Sequence, residues 1–167
     1  AELVGDEAHF ELVVLHGMMK AGISLEIMTA DFKAMLVPRG RAKAKSIVEV
    51  FRNLADRGVE IRLLHAGTPS GAALRDLKRQ LPRGLTIRRC PRLHAKAVVV
   101  DSTAMYLGSA NLTGAGLGAK SDGRRNFEMG IWTESPQLIE AVLDQFNRLW
   151  EGDRCRDCQR KDVCRSE

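Results

Sequence analysis

One histidine, one lysine and one aspartate stand in order in RLHAKAVVVDSTAMYLGSANLT, residues 92–113, and the stretch closes on a Gly-Ser-x-Asn turn. The pattern is H-x-K-x4-D-x6-G-S-x-N, carried by His94, Lys96, Asp101, Gly108, Ser109 and Asn111. Residues two apart share one face of a strand, so His94 and Lys96 are expected side by side on one face of a strand. The run Val98-Val99-Val100 suggests a strand buried on both faces. An imidazole and an ammonium buried there are costly unless something pairs with them, and an anion between them would. A phosphate group needs a nucleophile or base, a cation and neutral donors, which His94, Lys96, Ser109 and Asn111 supply together. Asp101 ends the strand and is read as mainly structural. An isolated H-x-K is more often a satisfied core histidine beside a lysine that snorkels outward. Six positions in fixed order weigh against that here.

These residues resemble the phospholipase D superfamily, whose HKD signature has this spacing. The resemblance extends to Asn126 and Glu128 in NFEMGI, and to ADRGVEIRLLHAG and SGAALRDLKR ahead of the signature, covering residues 6 to 150. It implies a phosphodiesterase that needs no metal for catalysis. One histidine attacks phosphorus and forms a phosphohistidine, and a second protonates the leaving oxygen. His94 would be one of the two. Lys96, Ser109 and Asn111 would hold phosphoryl oxygens, and Glu128 would accept from the other ring nitrogen of His94 and orient it. This chain has a single HKD copy, and His9, His16 and His65 lack such surroundings. Small single-motif members of the family are homodimers, and a two-fold axis would bring each His94 to its twin.

The elements expected to position these residues alternate, giving an α/β fold with a mixed β-sheet flanked by helices on both faces. Helices are predicted over 6–19, capped by Asp6; over 41–57, stopped by Gly58; over 70–81, capped by Ser70; and over 135–150, capped by Ser135. In the last, Leu138, Val142, Phe146 and Leu149 would share one face. Strands are predicted over 23–29, 59–64, 85–89, 95–100, 104–108 and 127–133, with a short extended piece over 33–37. Residues 114–125 read as a glycine-rich polar loop. Its G-x-G-x-G is too weak for a dinucleotide site without a following helix and reads as a flexible loop beside the active site.

With 167 residues the chain fits one domain. The catalytic domain is expected over 1–150 and a cysteine-rich tail over 151–167. Hydrophobic residues make up 44%, with no apolar run long enough to span a bilayer. No export signal is visible, so a cytoplasmic location is expected. The net charge is +5 and the basic residues cluster. Arg39, Arg41, Lys43 and Lys45 form one group, and Arg154, Arg156, Arg160, Lys161 and Arg165 another. Arg88, Arg89 and Arg92 precede the signature strand, and Lys120, Arg124 and Arg125 follow it. The last two sets are candidate contacts to a polyanionic substrate. DNA or RNA is therefore favoured over membrane phospholipid, for which the 114–125 loop offers only Leu117. A third class is a catalytically idle nucleic-acid-binding dimer. Service inside a larger defence or DNA-modification assembly is compatible with all of these.

The tail reads CRDCQRKDVC, with Cys155, Cys158 and Cys164. Disulfides are disfavoured without an export signal, which leaves a metal or cluster site against a solvated tail with incidental thiols. The trio resembles the C-terminal cysteines of the RecB-related iron–sulfur nucleases, and that resemblance implies a [4Fe-4S] cluster with a fourth, upstream ligand. Only Cys90 is available in the chain for that place. Four thiolates would equally suit a structural zinc ion.

Overall fold

The computed structural model describes residues 1–33, 35–67 and 72–164. Ser70 and Arg165, which the sequence places in a cap and a basic cluster, lie outside them. Among the described residues nine strands run in chain order: β1 Glu2–Gly5, β2 Ser24–Thr29, β3 Leu36–Arg39, β4 Ala42–Ser46, β5 Glu60–His65, β6 Leu85–Arg89, β7 Ala97–Val100, β8 Ala104–Gly108 and β9 Met129–Thr133. Helices are α1 Ile47–Asp56, α2 Ala72–Arg79, α3 Pro136–Trp150 and the short α4 Lys161–Cys164. Seven strands form one mixed sheet in the order β1-β9-β8-β7-β2-β5-β6, and β3 and β4 form a separate hairpin. β2, β5 and β6 are parallel, while β7, β8, β9 and β1 join antiparallel.

Side-chain alternation on the central strands makes two cores. Leu25, Ile27, Ile61, Leu63, Val98 and Val100 face one side, under α1 and the helical segment that carries Val13 and Val14. Met28, Leu64 and Ala97 face the other with Phe146 and Trp150 of α3, and Val99 and Met105 pack there on Ile139. Arg62 ties that helix down. It bonds Asn147 at 2.9 Å and Glu26 at 3.3 Å, and its guanidinium lies 4.8 Å from the Phe146 ring centre. Helices thus flank the sheet on both faces, as the sequence pattern requires.

Three local expectations are corrected. Residues 2–5 form an edge strand on β9, and the helical segment after it is a π-helix over Phe10–Leu15 followed by a 3-10 turn. Asp6 has no capping bond there, because its carboxylate accepts from Glu128 N at 3.1 Å. The helix expected from residue 41 begins at Ile47. Gly40, at φ 59°, turns β3 into β4, where Ala and Lys alternate. Ser46 and Glu49 then close a reciprocal cap, each accepting from the other's N–H at 3.2 Å. On α3 the buried residues are Ile139, Phe146 and Trp150, whereas Leu138 is exposed. The tail folds back. Gly152 and Asp153 N–H groups close the end of α3, and α4 follows.

Candidate active site

The site gathers at one end of the central strands, where parallel β2 and β5 finish, β7 begins and β8 ends. In open α/β sheets ligands collect outside the carboxyl ends of the parallel strands. The register puts Ala97 opposite Leu107, and Gly108 N donates to Lys96 O at 3.2 Å. The His94–Lys96 segment therefore lies beside the Gly-Ser-x-Asn turn.

His94 and Lys96 precede β7 rather than lying within it, and His94 is exposed and Lys96 half-buried. The expected burial cost is absent in the single chain. Lys96 Nζ stands 3.2 Å from His94 Nε2. An ammonium only donates, so this contact leaves Nε2 as the acceptor and puts the ring proton on Nδ1.

Ser109 and Glu128 are bonded directly, Oγ to Oε2. Ser109 is also fixed to β9, exchanging bonds of 3.0 Å with Met129 N and O. Asn126 Nδ2 donates to the other Glu128 oxygen at 3.1 Å. Among the described residues Glu128 is thus engaged by Ser109 and Asn126, while the partner of His94 is Lys96. Asn111 reaches across to the end of β2. Its Oδ1 accepts from Ala30 N and Asp31 N at 3.1 Å each, while the Thr29 hydroxyl, 3.3 Å away, gives its one proton to Asp31 O at 2.5 Å. Two backbone N–H groups on one oxygen decide which way the amide points. The Nδ2 group, the donor end, is left to face a ligand.

Asp101 sits at the opposite end of β7. Its carboxylate accepts from Gly22, Ile23 and Ser24 N–H groups at 2.7–3.1 Å. Burial acts to raise its pKa, but the bonds from Ser24, Gly22 and Ile23 together bring it below the usual carboxylate value. Asp101 and Ser102, at φ 53° and 55°, form the tight β7–β8 turn, closed by Thr103 N on Val100 O at 3.0 Å.

Beneath the turn runs a buried chain that the motif does not disclose. His9 Nδ1 bonds Asp6 O at 2.8 Å, which leaves Nε2 to accept from the Tyr106 hydroxyl at 2.9 Å. Tyr106 in turn accepts from Ala110 N at 3.1 Å, in the middle of Gly-Ser-x-Asn. Burial raises the Tyr106 pKa. Its ring passes over Gly108 and Gly130, paired across β8 and β9, and a Cβ at either would collide with it. The two glycines were the available signal in the sequence. The partner at 9 was not legible, because it lies 97 residues from Tyr106.

The basic candidates divide. Arg88 donates to Trp150 O and stacks 4.6 Å from the Trp150 ring centre. Arg89 donates to Ala66 O at 3.1 Å and Val163 O at 3.0 Å. Arg125 is paired with Asp122 and Glu7. All three thus carry partners within the chain, although Arg88 is also exposed and Arg89 lines the pocket that holds His94. Arg92, Lys120 and Arg124 are exposed. Leu117, the apolar residue expected on the loop surface, is buried. The exposed apolar side chains beside the site are Phe127 at 96% and Met129 at 65%, flanking Glu128. No described helix is long and apolar enough to cross a membrane.

Cys90, Cys155, Cys158 and Cys164 are free thiols. Among the described residues no three His, Cys, Asp or Glu side chains come together tightly enough for a single metal ion. The Arg160 N–H brings the Cys158 pKa below the usual thiol value, against desolvation, which raises it, and with further help from Arg92 and Lys161.

With this geometry the comparisons agree. Residues 14–150 match the family model of the cardiolipin synthase, PLD-like domain, so the chain belongs to the phospholipase D-like family. Its fold is similar to that of NucT from Helicobacter pylori, at TM-score 0.68 and 14% identity over 90% of this chain and 94% of that one. It is similar also to Nuc, a phospholipase D family member from Salmonella typhimurium, at TM-score 0.67 and 21% identity over 90% and 93%. TrmBL2, an archaeal chromatin protein described with a novel mode of DNA binding, matches at TM-score 0.57 and 14% identity, over 89% of this chain and 51% of that one. No curated protein sequence matches the chain.

Proposed function

We propose that the chain is a nuclease that hydrolyses phosphodiester bonds in DNA or RNA, working as a homodimer through a phosphohistidine. The observation that carries this reading is the set of side chains around the Gly-Ser-x-Asn turn. His94 presents an unprotonated Nε2, Lys96 stands beside it, and Asn111 has its oxygen occupied and its donor end directed away. In the first half-reaction Nε2 attacks phosphorus, the N–P bond forms and the P–O bond to the leaving group breaks. A second histidine gives that oxygen its proton. Water then attacks phosphorus and surrenders a proton to the second histidine, and the N–P bond breaks. Lys96 and the Asn111 amide would hold the phosphoryl oxygens as charge develops on them.

The second histidine is supplied by a second copy. His9 is buried on Tyr106 and Asp6, and His65 is buried with Nδ1 on Gly67 O. Neither can reach a substrate, and His16, exposed at the end of the π-helix, has no lysine two positions on and no Gly-Ser-x-Asn turn after it. The exposed Phe127 and Met129 are an apolar patch that a contact on a two-fold axis beside Glu128 would cover. Nucleic acid is favoured as substrate by the net charge of +5 and by exposed Arg92, Lys120 and Arg124. The phospholipid reading rests on the same two apolar side chains, since a bilayer would also cover them.

The test uses anaerobically purified protein and its His94→Ala variant, each with EDTA, against labelled single- and double-stranded DNA and RNA and against phospholipid vesicles. Nucleic-acid cleavage that resists EDTA and vanishes in the variant is the expected result. Lipid turnover without cleavage moves the assignment to a phospholipase. Tight DNA binding with neither activity moves it to an idle binding dimer.

A further inference from the structure

All four cysteines of the chain line one pocket, of about 310 Å³. They arrive from separate parts of the sequence. Cys90 lies in the connection from β6 to β7, Cys155 and Cys158 in the turns after α3, and Cys164 at the end of α4. His94 and Arg92 share the wall.

From this convergence we propose that Cys90, Cys155, Cys158 and Cys164 together ligate one metal centre through four thiolates. Three further features fit. Cys158 N donates to Cys155 O at 3.2 Å and Arg160 N to Cys158 Sγ at 3.4 Å, so the C-x-x-C segment is already a tight turn with an amide aimed at sulfur. An N–H on sulfur favours the thiolate that a metal requires. Arg89, Arg92 and Arg154 border the pocket and offset the negative charge that four thiolates carry. Arg89 donates to Val163 O at 3.0 Å and so docks the end of the tail beside Cys90.

The spacing bears on the occupant. A tetrahedral zinc site with Zn–S of ~2.3 Å holds its sulfurs about 3.8 Å apart. Here the thiols surround a cavity, and no three described ligands converge on a single-ion site. An iron–sulfur cluster, which fills such a space and takes four thiolates at its corners, suits the wall better. Either centre would fasten the tail to the segment four residues before His94.

The experiment uses the full chain, purified without oxygen, with iron, acid-labile sulfide and zinc determined per chain and the visible absorption of thiolate-bound iron recorded. Serine is placed at each of the four cysteines in turn. The expected result is bound iron with matching sulfide, reduced about tenfold or more by each substitution, since even supporting groups of metal sites change affinity by 10–100-fold. Circular dichroism separates metal loss from unfolding, the variants keeping the spectrum of the metal-free wild type. Stoichiometric zinc that depends on all four cysteines upholds the thiolate centre and overturns the cluster. A chain that binds neither, even after reconstitution with iron and sulfide or with zinc, overturns the proposal. Full loading in Cys90→Ser removes Cys90 from the site and overturns the four-ligand assignment.

Discussion

Asn111 offers a substitution that separates folding from chemistry. Its Oδ1 receives Ala30 N and Asp31 N, and so ties the turn after β8 to the end of β2. Asn111→Ala removes that acceptor and strands two backbone N–H groups in a half-buried place. At ~1 kcal/mol for each ordinary hydrogen bond, and more where a donor is left dry, the loss is about 2–3 kcal/mol. For a domain of this size that lowers the melting temperature by roughly 5–10 °C. Asn111→Asp keeps an oxygen in the same position, and a carboxylate accepts the same two backbone bonds. Its stability is expected well above that of the alanine variant at neutral pH, because both backbone N–H groups keep an acceptor. Its activity is another matter. The Nδ2 donor is gone and a negative charge faces the phosphoryl group, so kcat is expected to fall at least ~10²–10³-fold, the usual loss for one oxyanion donor. Thermal melts and single-turnover cleavage of a labelled oligonucleotide measure both. If Asn111→Asp melts as low as the alanine variant, the amide orientation is wrong. If it cleaves within about threefold of wild type, Nδ2 does not hold the transferring phosphoryl group.

Three further predictions follow from the same geometry. In a shared two-fold site a wild-type/His94→Ala heterodimer has one histidine, so an equal mixture after subunit exchange should retain about one quarter of the activity, against about half if each chain worked alone. Asp101→Asn removes the charge from three backbone bonds and should cost about 1–2 kcal/mol at neutral pH, discounted because solvent reaches the carboxylate. The folded pKa lies below the ordinary 3.8, so this contribution is complete above that value and disappears as the pH falls through the folded pKa. Wild type and variant should therefore converge in acid, and a gap that persists or widens there would contradict the assignment. Gly130→Ala drives a Cβ into the Tyr106 ring and should destabilise by about 1–3 kcal/mol, with activity lost alongside as the Ala110 bond to Tyr106 shifts. An unchanged melt would show that the ring can move aside.

By itself the sequence determined the family and the sheet. H-x-K-x4-D-x6-G-S-x-N is local, and strands such as 85–89 and 104–108 are legible because apolar alternation and turn residues bound them at short range. Where two local codes overlapped, sequence reading stretched the element. Residues 42–46 carry helix-forming Ala and Lys, but the turn at Gly40 and the reciprocal Ser46–Glu49 cap give them to a hairpin. Tertiary structure alone decided which distant groups Arg88, Arg89 and Arg125 meet, 62, 74 and 118 positions away in Trp150, Val163 and Glu7. It alone decided that Asn111 points its oxygen inward and that His9 supports the site from beneath. These facts depend on strands brought together across the sheet, and a chain read in order carries no term for contacts that only closure of the sheet creates.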